Sequence, residues 1–592
     1  MYGIRRFDRK EQSELFNDFF FAQFSSPSSY DIDIDFSDDS RFDVMFDSSI
    51  VHKLLRNINS NKAQGPDGIH GKVLKNCAGS LAYPLSIIFK MYYNCGYIPS
   101  EWKMANVVPV FKKGKKSDVE NYRPISLTSL VMKIFERIIR EELLRHTGQC
   151  LDQRQHGFLA HKSCTTNMVH FCDNLAISLN NDKRTDVVYF DFAKAFDCVN
   201  HDILLYKLKH RYKVDGALLK FICNYLQGRK QCVVLSNQKS SVKPVFSGVP
   251  QGSILGPLLF VLFINDLPEG LSDGTGLALY ADDTKIWRVI ECEQDHLTLD
   301  NDIAYLNSWA TENKMRFHPK KCKILSFCNS KPPFIDILPE TEFMYSLGPV
   351  YLDYVDSEKD LGVDMTPKLN WTLQCNRLYS KACQKLGLLR RNCYFVKDLA
   401  RARTLYITLV RSLFESCSII WRPTNQTLIN KLERIQKQSI KWILNESNIS
   451  YSQYDVYIQK CKFVNILPLS VRFELNDLLF LHKVIYNLKP VDLPFYLSFF
   501  EGQTRLRSSH LDSLSLVSTI LPKSNQSSTR SNNPFLNSFF YRTHMLWNKL
   551  PLTIREISCP IKFKVCLKKH LWSNIIPDLE LSILSDGTYT DD

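Results

Sequence analysis

The chain has 592 residues, 44% of them hydrophobic and 23% charged, with 75 Lys and Arg against 61 Asp and Glu for a net charge of +14. That length exceeds one ordinary domain and predicts three or four subdomains around more than one core, in a chain of globular composition. The composition excludes several classes: the longest apolar run, Leu258 to Ile264, is far short of the roughly 20 residues a membrane helix needs; Met1 to Arg6 opens no apolar signal segment; and eighteen cysteines without a Cys-x-x-Cys pair or a Cys/His ladder indicate neither a disulfide framework nor a zinc knuckle. A soluble, intracellular protein with no membrane partner is expected, in the nucleus and/or the cytoplasm.

In chain order, residues 1–50 open with a short helical pattern, pass through Ser25-Ser26-Pro27-Ser28-Ser29 and become acid-rich from Asp31 to Asp47, which predicts a loosely ordered leader. From Val51 the pattern is helical, broken by the loop Lys62-Ala63-Gln64-Gly65-Pro66-Asp67-Gly68. The strand-like run Ala105 to Phe111 then leads through Lys112-Lys113-Gly114-Lys115-Lys116 to a return at Asn121-Tyr122-Arg123-Pro124-Ile125-Ser126-Leu127. A basic hairpin of this kind can close over a triphosphate with point charges and one bidentate guanidinium; it equally describes a solvated turn if Arg123 faces away from the acids.

Helices are predicted to about residue 150 and over 165–179, and the apolar strand Val187-Val188-Tyr189-Phe190 ends in Asp191. Helices over 201–210 and 217–226 and strands near 231–235 and 242–246 follow. The loop Ser247-Gly248-Val249-Pro250-Gln251-Gly252-Ser253 opens a long apolar helix through Asn265, its two glycines allowing backbone to approach a flat ligand while Gln251 offers both donor and acceptor.

Ninety-one residues beyond Asp191, Leu277 to Trp287 reads as a β-hairpin with Tyr280-Ala281-Asp282-Asp283 at its tip. Adjacent carboxylates between apolar flanks repel unless a cation compensates them. Alone, the pair fits a solvated turn; with Asp191 it supplies the oxygen donors that hard cations such as Mg²⁺ prefer, and two such ions about 4 Å apart suit phosphoryl transfer. Between Lys381 and Asn445, thirteen Lys and Arg stand against three acids at helical spacing among Leu, Ile, Trp and Tyr, a pattern that buries one helix face and offers the other to phosphates.

Five of these motifs in this order, 62–68, 121–127, Phe190-Asp191-Phe192-Ala193-Lys194-Ala195-Phe196-Asp197, 248–253 and 280–283, resemble the reverse transcriptase of non-LTR retrotransposons in the Jockey-like branch. The resemblance is strong over about residues 50–370 and less distinct beyond. It implies an α+β right-hand polymerase of fingers, palm and thumb with an antiparallel palm sheet and a mostly helical C-terminal region. The divisions expected are a leader at 1–50, fingers and palm at 51–370, a basic helical thumb at 371–450, and a C-terminal region of underived role at 451–592.

The implied activity is RNA-directed DNA synthesis by two-metal nucleotidyl transfer to a primer 3′-hydroxyl. The implied partners are RNA template, DNA primer, their hybrid and deoxynucleoside triphosphates. Matched position by position, Asp191, Asp282 and Asp283 are the catalytic metal ligands, for two Mg²⁺ with Mn²⁺ as an alternative. Lys112 and Arg123 contact the triphosphate, Gln251 and Gly252 lie against nucleotide and template, and Phe196 is a steric gate against a ribose 2′-hydroxyl. Tyr280 sits near the primer end. Lys321, favoured over the neighbouring Lys320, is the general acid for pyrophosphate, and Leu361 and Gly362 lie on a primer-grip strand within 359–363. Complete elements of this branch carry an endonuclease ahead of the polymerase; the residues before Val51 are too few for one, so this chain alone is expected not to nick its own target. The alternative reading is a catalytically inert or domesticated nucleic-acid-binding relic.

Overall fold

The computed structural model describes residues 8–24, 44–329, 344–446, 453–500, 512–522 and 533–576. Two mixed β-sheets and many helices form an α+β architecture. In the first sheet, β1 (Met104–Phe111) and β2 (Tyr122–Leu127) make an antiparallel hairpin. Strand β4 (Lys230–Leu235) lies parallel to β1 on its other side, and the short strands β5 (Gln238–Lys239) and β6 (Lys243–Pro244) fold back on β4. The strand expected over 242–246 is thus confined to two residues.

The second sheet carries the acids. Strand β3 (Arg184–Phe190) is its centre, antiparallel to both β8 (Asp283–Ile290) and β9 (Lys323–Phe327). Strand β7 (Gly276–Tyr280) completes a hairpin with β8. The sheet is not wholly antiparallel, because beyond the short hairpin β10 (Ser346–Leu347) and β11 (Val350–Tyr351), strand β12 (Asp353–Tyr354) joins its edge parallel to β9.

Side chains alternate across a strand, and here the alternation divides two cores. Val188, Phe190, Ile286 and Ile324 face one apolar cluster, which includes the helix Gly256–Ile264, buried on every side. Val187, Leu325 and Phe327 face the other, shared with the helix Cys164–Asn180, the helices from Thr372 to Ile443, and the C-terminal helices Leu469–Ile485, Phe539–Asn548 and Pro560–Ile575. The C-terminal region is therefore part of the wall behind the acid-bearing sheet. Tyr496 donates to Asp173 at 2.7 Å, and Asn180 donates to the Leu521 carbonyl at 3.4 Å. The buried Asp477 accepts from Arg422 (2.6 Å) and from Arg542 (2.9 Å).

Two expectations need correction. The leader is ordered where it is described: Asp8 and Glu11 form a capping box for the helix Arg9–Phe21. Its Phe16 and Phe20 bury against Val107 and Val233, and Asn17 donates to the Ser241 carbonyl at 2.8 Å. The acidic stretch 31–43 lies outside the described residues, and a second helix, Ser48–Arg56, starts before Val51. The segment 359–363, expected as a primer-grip strand, is a hairpin. Strands β13 (Glu358–Asp360) and β14 (Val363–Met365) are joined by Leu361 and Gly362, at φ 45° and 93°, so the two named residues form the turn itself.

Candidate active site

The site forms where the central strand of the second sheet ends beside the β7–β8 turn. The pairing of Phe190 with Thr284 carries Asp191, one residue further, to the level of Asp283. The turn is tight, with Tyr280 paired to Asp283 and only Ala281 and Asp282 between them, and Ala281 takes φ 57°, a left-handed conformation unusual for a residue with a Cβ.

Residues 154–157 hold that strained turn in place. His156 donates to the Leu279 carbonyl (2.8 Å), and the Arg154 carbonyl accepts from Leu279 (3.1 Å), adding a short parallel bridge to β7. The buried Gln155 side-chain carbonyl accepts from the Ala281 N–H (2.9 Å) and from the Gly157 N–H (2.7 Å). Asn167, on the helix behind, donates to the Leu279 carbonyl at 3.0 Å. A methyl group on Gly157 would lie 2.3 Å from the Ala281 nitrogen, so only glycine allows this approach.

The electrostatics show unbalanced negative charge. Burial, then the Asp282 charge, with Asp360 and Asp191 adding to it, pushes Asp283 up to about 6. Asp282 is raised by burial and by Asp191, and is lowered in part by Lys112 and Arg123. Both acids reach solvent, but protein mass around the cleft replaces much of the water that would stabilise their charge.

Lys112 is held below the ordinary lysine range by burial and by Arg123, with Asp191 acting in the opposite sense. Lys112 and Arg123 are both exposed and near enough to the acids for their charges to act on Asp282. Lys321, on the turn Pro319–Lys321, reaches Asp191 at 3.2 Å, which favours it over Lys320. Its loop is tied to the acid strand by the His318 N–H donating to the Asp191 carbonyl at 2.8 Å.

Gln251 is turned toward Asp197, donating to it at 3.1 Å, while its backbone carbonyl accepts from the Ser126 N–H at 2.8 Å. Burial pushes Asp197 up to about 6. Gly252 sits at φ 123°, where a Cβ would meet the Ser126 carbonyl at 2.6 Å, so the loop lies against β2. The Phe196 ring stacks on Phe260 at 4.4 Å and meets the edge of Phe158 at 5.8 Å, leaving it partly exposed and fixed in direction. Tyr280 is also partly exposed, its hydroxyl pushed up to about 12 by burial and by Cys164. Beneath the Leu361–Gly362 turn, the buried pair Lys285–Asp360 ties the hairpin to β8 two residues from Asp283.

Residues 112–367 match the family model described as reverse transcriptase (RNA-dependent DNA polymerase). The matched residues are thus similar to a reverse transcriptase domain. The chain is similar to the RNA-directed DNA polymerase from mobile element jockey of Drosophila melanogaster, at 31% identity over 293 residues, 47% of this chain and 31% of that protein. It is similar also to two Drosophila melanogaster proteins named probable RNA-directed DNA polymerases. The one from transposon X-element is 26% identical over 67% of this chain and 44% of its own length, and the one from transposon BS is 27% identical over 66% and 44%. The chain thus spans from under a third to under half of the length of these relatives.

Among the described residues no three His, Cys, Asp or Glu side chains close into a metal cage, and Asp191 is turned to the Lys321 ammonium instead. The donor chemistry nevertheless fits a hard divalent cation: three carboxylates come together, and burial, with their mutual repulsion adding to it, raises two of them. Gln155, Gly157, Asn167 and Asp197 serve this site without having been singled out from the sequence. Asp197 alone carried a local signal, lying inside the motif that ends the acid strand. No helix among the described residues is long and apolar enough to cross a membrane.

Proposed function

We propose that this chain is an RNA-directed DNA polymerase that extends a primer 3′-hydroxyl on an RNA template, with residues 51–370 acting as fingers and palm and 371–450 as thumb. The observation that carries the reading is the strand pairing that brings Asp191 to the level of Asp283 beside Asp282, with Lys321 at 3.2 Å from Asp191, a grouping of carboxylates and a cation suited to a metal-bound nucleoside triphosphate. Asp191, Asp282 and Asp283 would hold two divalent ions, Mg²⁺ by ligand hardness, whose charge activates the attacking hydroxyl and stabilises the departing pyrophosphate.

The other roles follow from position. Lys112 and Arg123 bind the triphosphate, the latter with a bidentate fork. Gln251, steadied by Asp197, lies with Gly252 beneath the base pair being formed. Phe196, clamped by Phe260, fills the space of a ribose 2′-hydroxyl. Tyr280 and the Leu361–Gly362 turn hold the primer end. Lys321 leaves its pair with Asp191 to donate a proton to departing pyrophosphate.

Primer extension on an RNA template with Mg²⁺ tests the reading. Asp282→Asn should abolish incorporation while affinity for an RNA/DNA hybrid persists. Full incorporation by Asp282→Asn, or hybrid binding by the wild-type chain with no incorporation at all, would sink it.

A further inference from the structure

Far from the acids, the helices that carry the basic excess enclose an open groove of about 540 Å³. The helix Thr372–Asn392 is held to the β13–β14 hairpin at Gln374 and Arg377 and lines the groove with Arg390, so the groove lies about 24 Å along the helix from that hairpin. Tyr394, Trp442 and Phe463 line it beside Arg390, Lys397 and Lys460. Tyr394 is 78% exposed and Phe463 70%. Phe395, 66% exposed, meets the Tyr394 ring at 5.8 Å edge to face.

Large rings with this much surface in water are unusual, since aromatic side chains gain most by burial. Here they adjoin cations as well as the apolar Val396, Leu399, Ile443 and Leu444 of the groove floor. The only acid in the lining, Glu446, is paired with Lys460, and the segment 381–445 around the groove carries ten more positive than negative charges. Exposed rings between cations are the composition of a stacking platform for unpaired bases: every base has a π-face, and the cations take the phosphates. The excess positive charge favours a polyanion, and duplex would present its phosphates while keeping its bases stacked within itself.

We propose that this groove binds unpaired RNA, the single-stranded part of the template, with bases on Tyr394 and Phe463 and backbone along Arg390 and Lys397. The choice of RNA rests on the polymerase reading above; the groove itself touches none of the residues assigned to catalysis.

The test uses the full chain with two labelled probes, an unpaired RNA oligonucleotide and a blunt RNA/DNA hybrid, measured by fluorescence anisotropy. Loss of a stacked base is worth about 1–3 kcal/mol, or roughly 5- to 150-fold in affinity. Tyr394→Ala/Phe463→Ala should weaken unpaired RNA by at least that lower factor, leave the hybrid unchanged, and leave extension of a primer on a short template unchanged. Tyr394→Phe should bind as wild type. Lys397→Ala should lower the salt dependence of RNA binding by about 0.7 in log–log slope. Unchanged RNA affinity in the double variant, or an equal loss on the hybrid, overturns the proposal. Absent extension by the wild-type chain would fail the polymerase reading alone, leaving the anisotropy comparison intact.

Discussion

Gln155 offers the sharpest test of how the acid turn is held. Its side-chain carbonyl is the acceptor for two buried N–H groups, Ala281 at 2.9 Å and Gly157 at 2.7 Å, and the residue is 1% exposed. Gln155→Ala removes that acceptor where water has little access. Each buried donor left without a partner costs about 1–3 kcal/mol. Ala281 already sits at φ 57°, worth roughly another 1 kcal/mol of strain. At the lower end, about 2–3 kcal/mol bears on the conformation that places Asp282. If the turn bears that cost, primer extension falls roughly 30- to 150-fold in kcat, with a much smaller change in the affinity for hybrid. The double variant Gln155→Ala/Ala281→Gly separates strain from hydrogen bonding, because glycine adopts positive φ freely. It should recover about fivefold of the loss. Single-turnover extension with a melting curve on each variant is the assay. A kcat within threefold of wild type for Gln155→Ala in a folded protein would refute the reasoning, as would an Ala281→Gly partner that recovers nothing.

Other outcomes follow from the same geometry. Phe196→Ala removes a ring that Phe260 and Phe158 hold in one direction, so incorporation of ribonucleotides should rise relative to deoxynucleotides in a competition assay; unchanged discrimination would remove the gate role. Asp173, buried beneath the C-terminal region, is pushed up to about 7 by burial, against the hydrogen bond from Tyr496. Its folded form is therefore neutral below about pH 7 and costly above it, whereas the unfolded carboxyl ionises near its ordinary value, so this residue's contribution to stability falls as pH rises from about 4 through 7. The difference amounts to roughly 4 kcal/mol at most. Asp173→Asn should raise stability to urea at pH 8 and flatten this part of the pH dependence, and parallel pH profiles for the two proteins would contradict it.

Much of the site was legible because its chemistry is written in short runs. Asp191 ends an apolar strand, Asp282 and Asp283 end another, and no packing detail is needed to see that two such strands can pair. What the sequence left dark shares one property: its meaning depends on a neighbour remote in the chain. Gln155 is an ordinary polar residue until β7 lies beside it. Phe16 and Phe20 fall in a stretch too short to announce a helix strongly, and become anchors only when Val107 and Val233 form a surface for them. Leu361 and Gly362 read as strand because the residues around them suit one, yet the positive φ of both folds the segment back on itself.

The same dependence explains why the last third resisted interpretation. Its helices are apolar enough to fold, but the surface they cover belongs to the helix Cys164–Asn180, about 300 positions earlier. The acid-bearing sheet has one face toward the core around Gly256–Ile264 and one toward this C-terminal wall, so the strand that ends in Asp191 is braced from both sides. Rigidity at β3 calls for apolar contact on both faces, and the helix Cys164–Asn180, itself backed by the C-terminal helices, supplies the face that the other core leaves uncovered.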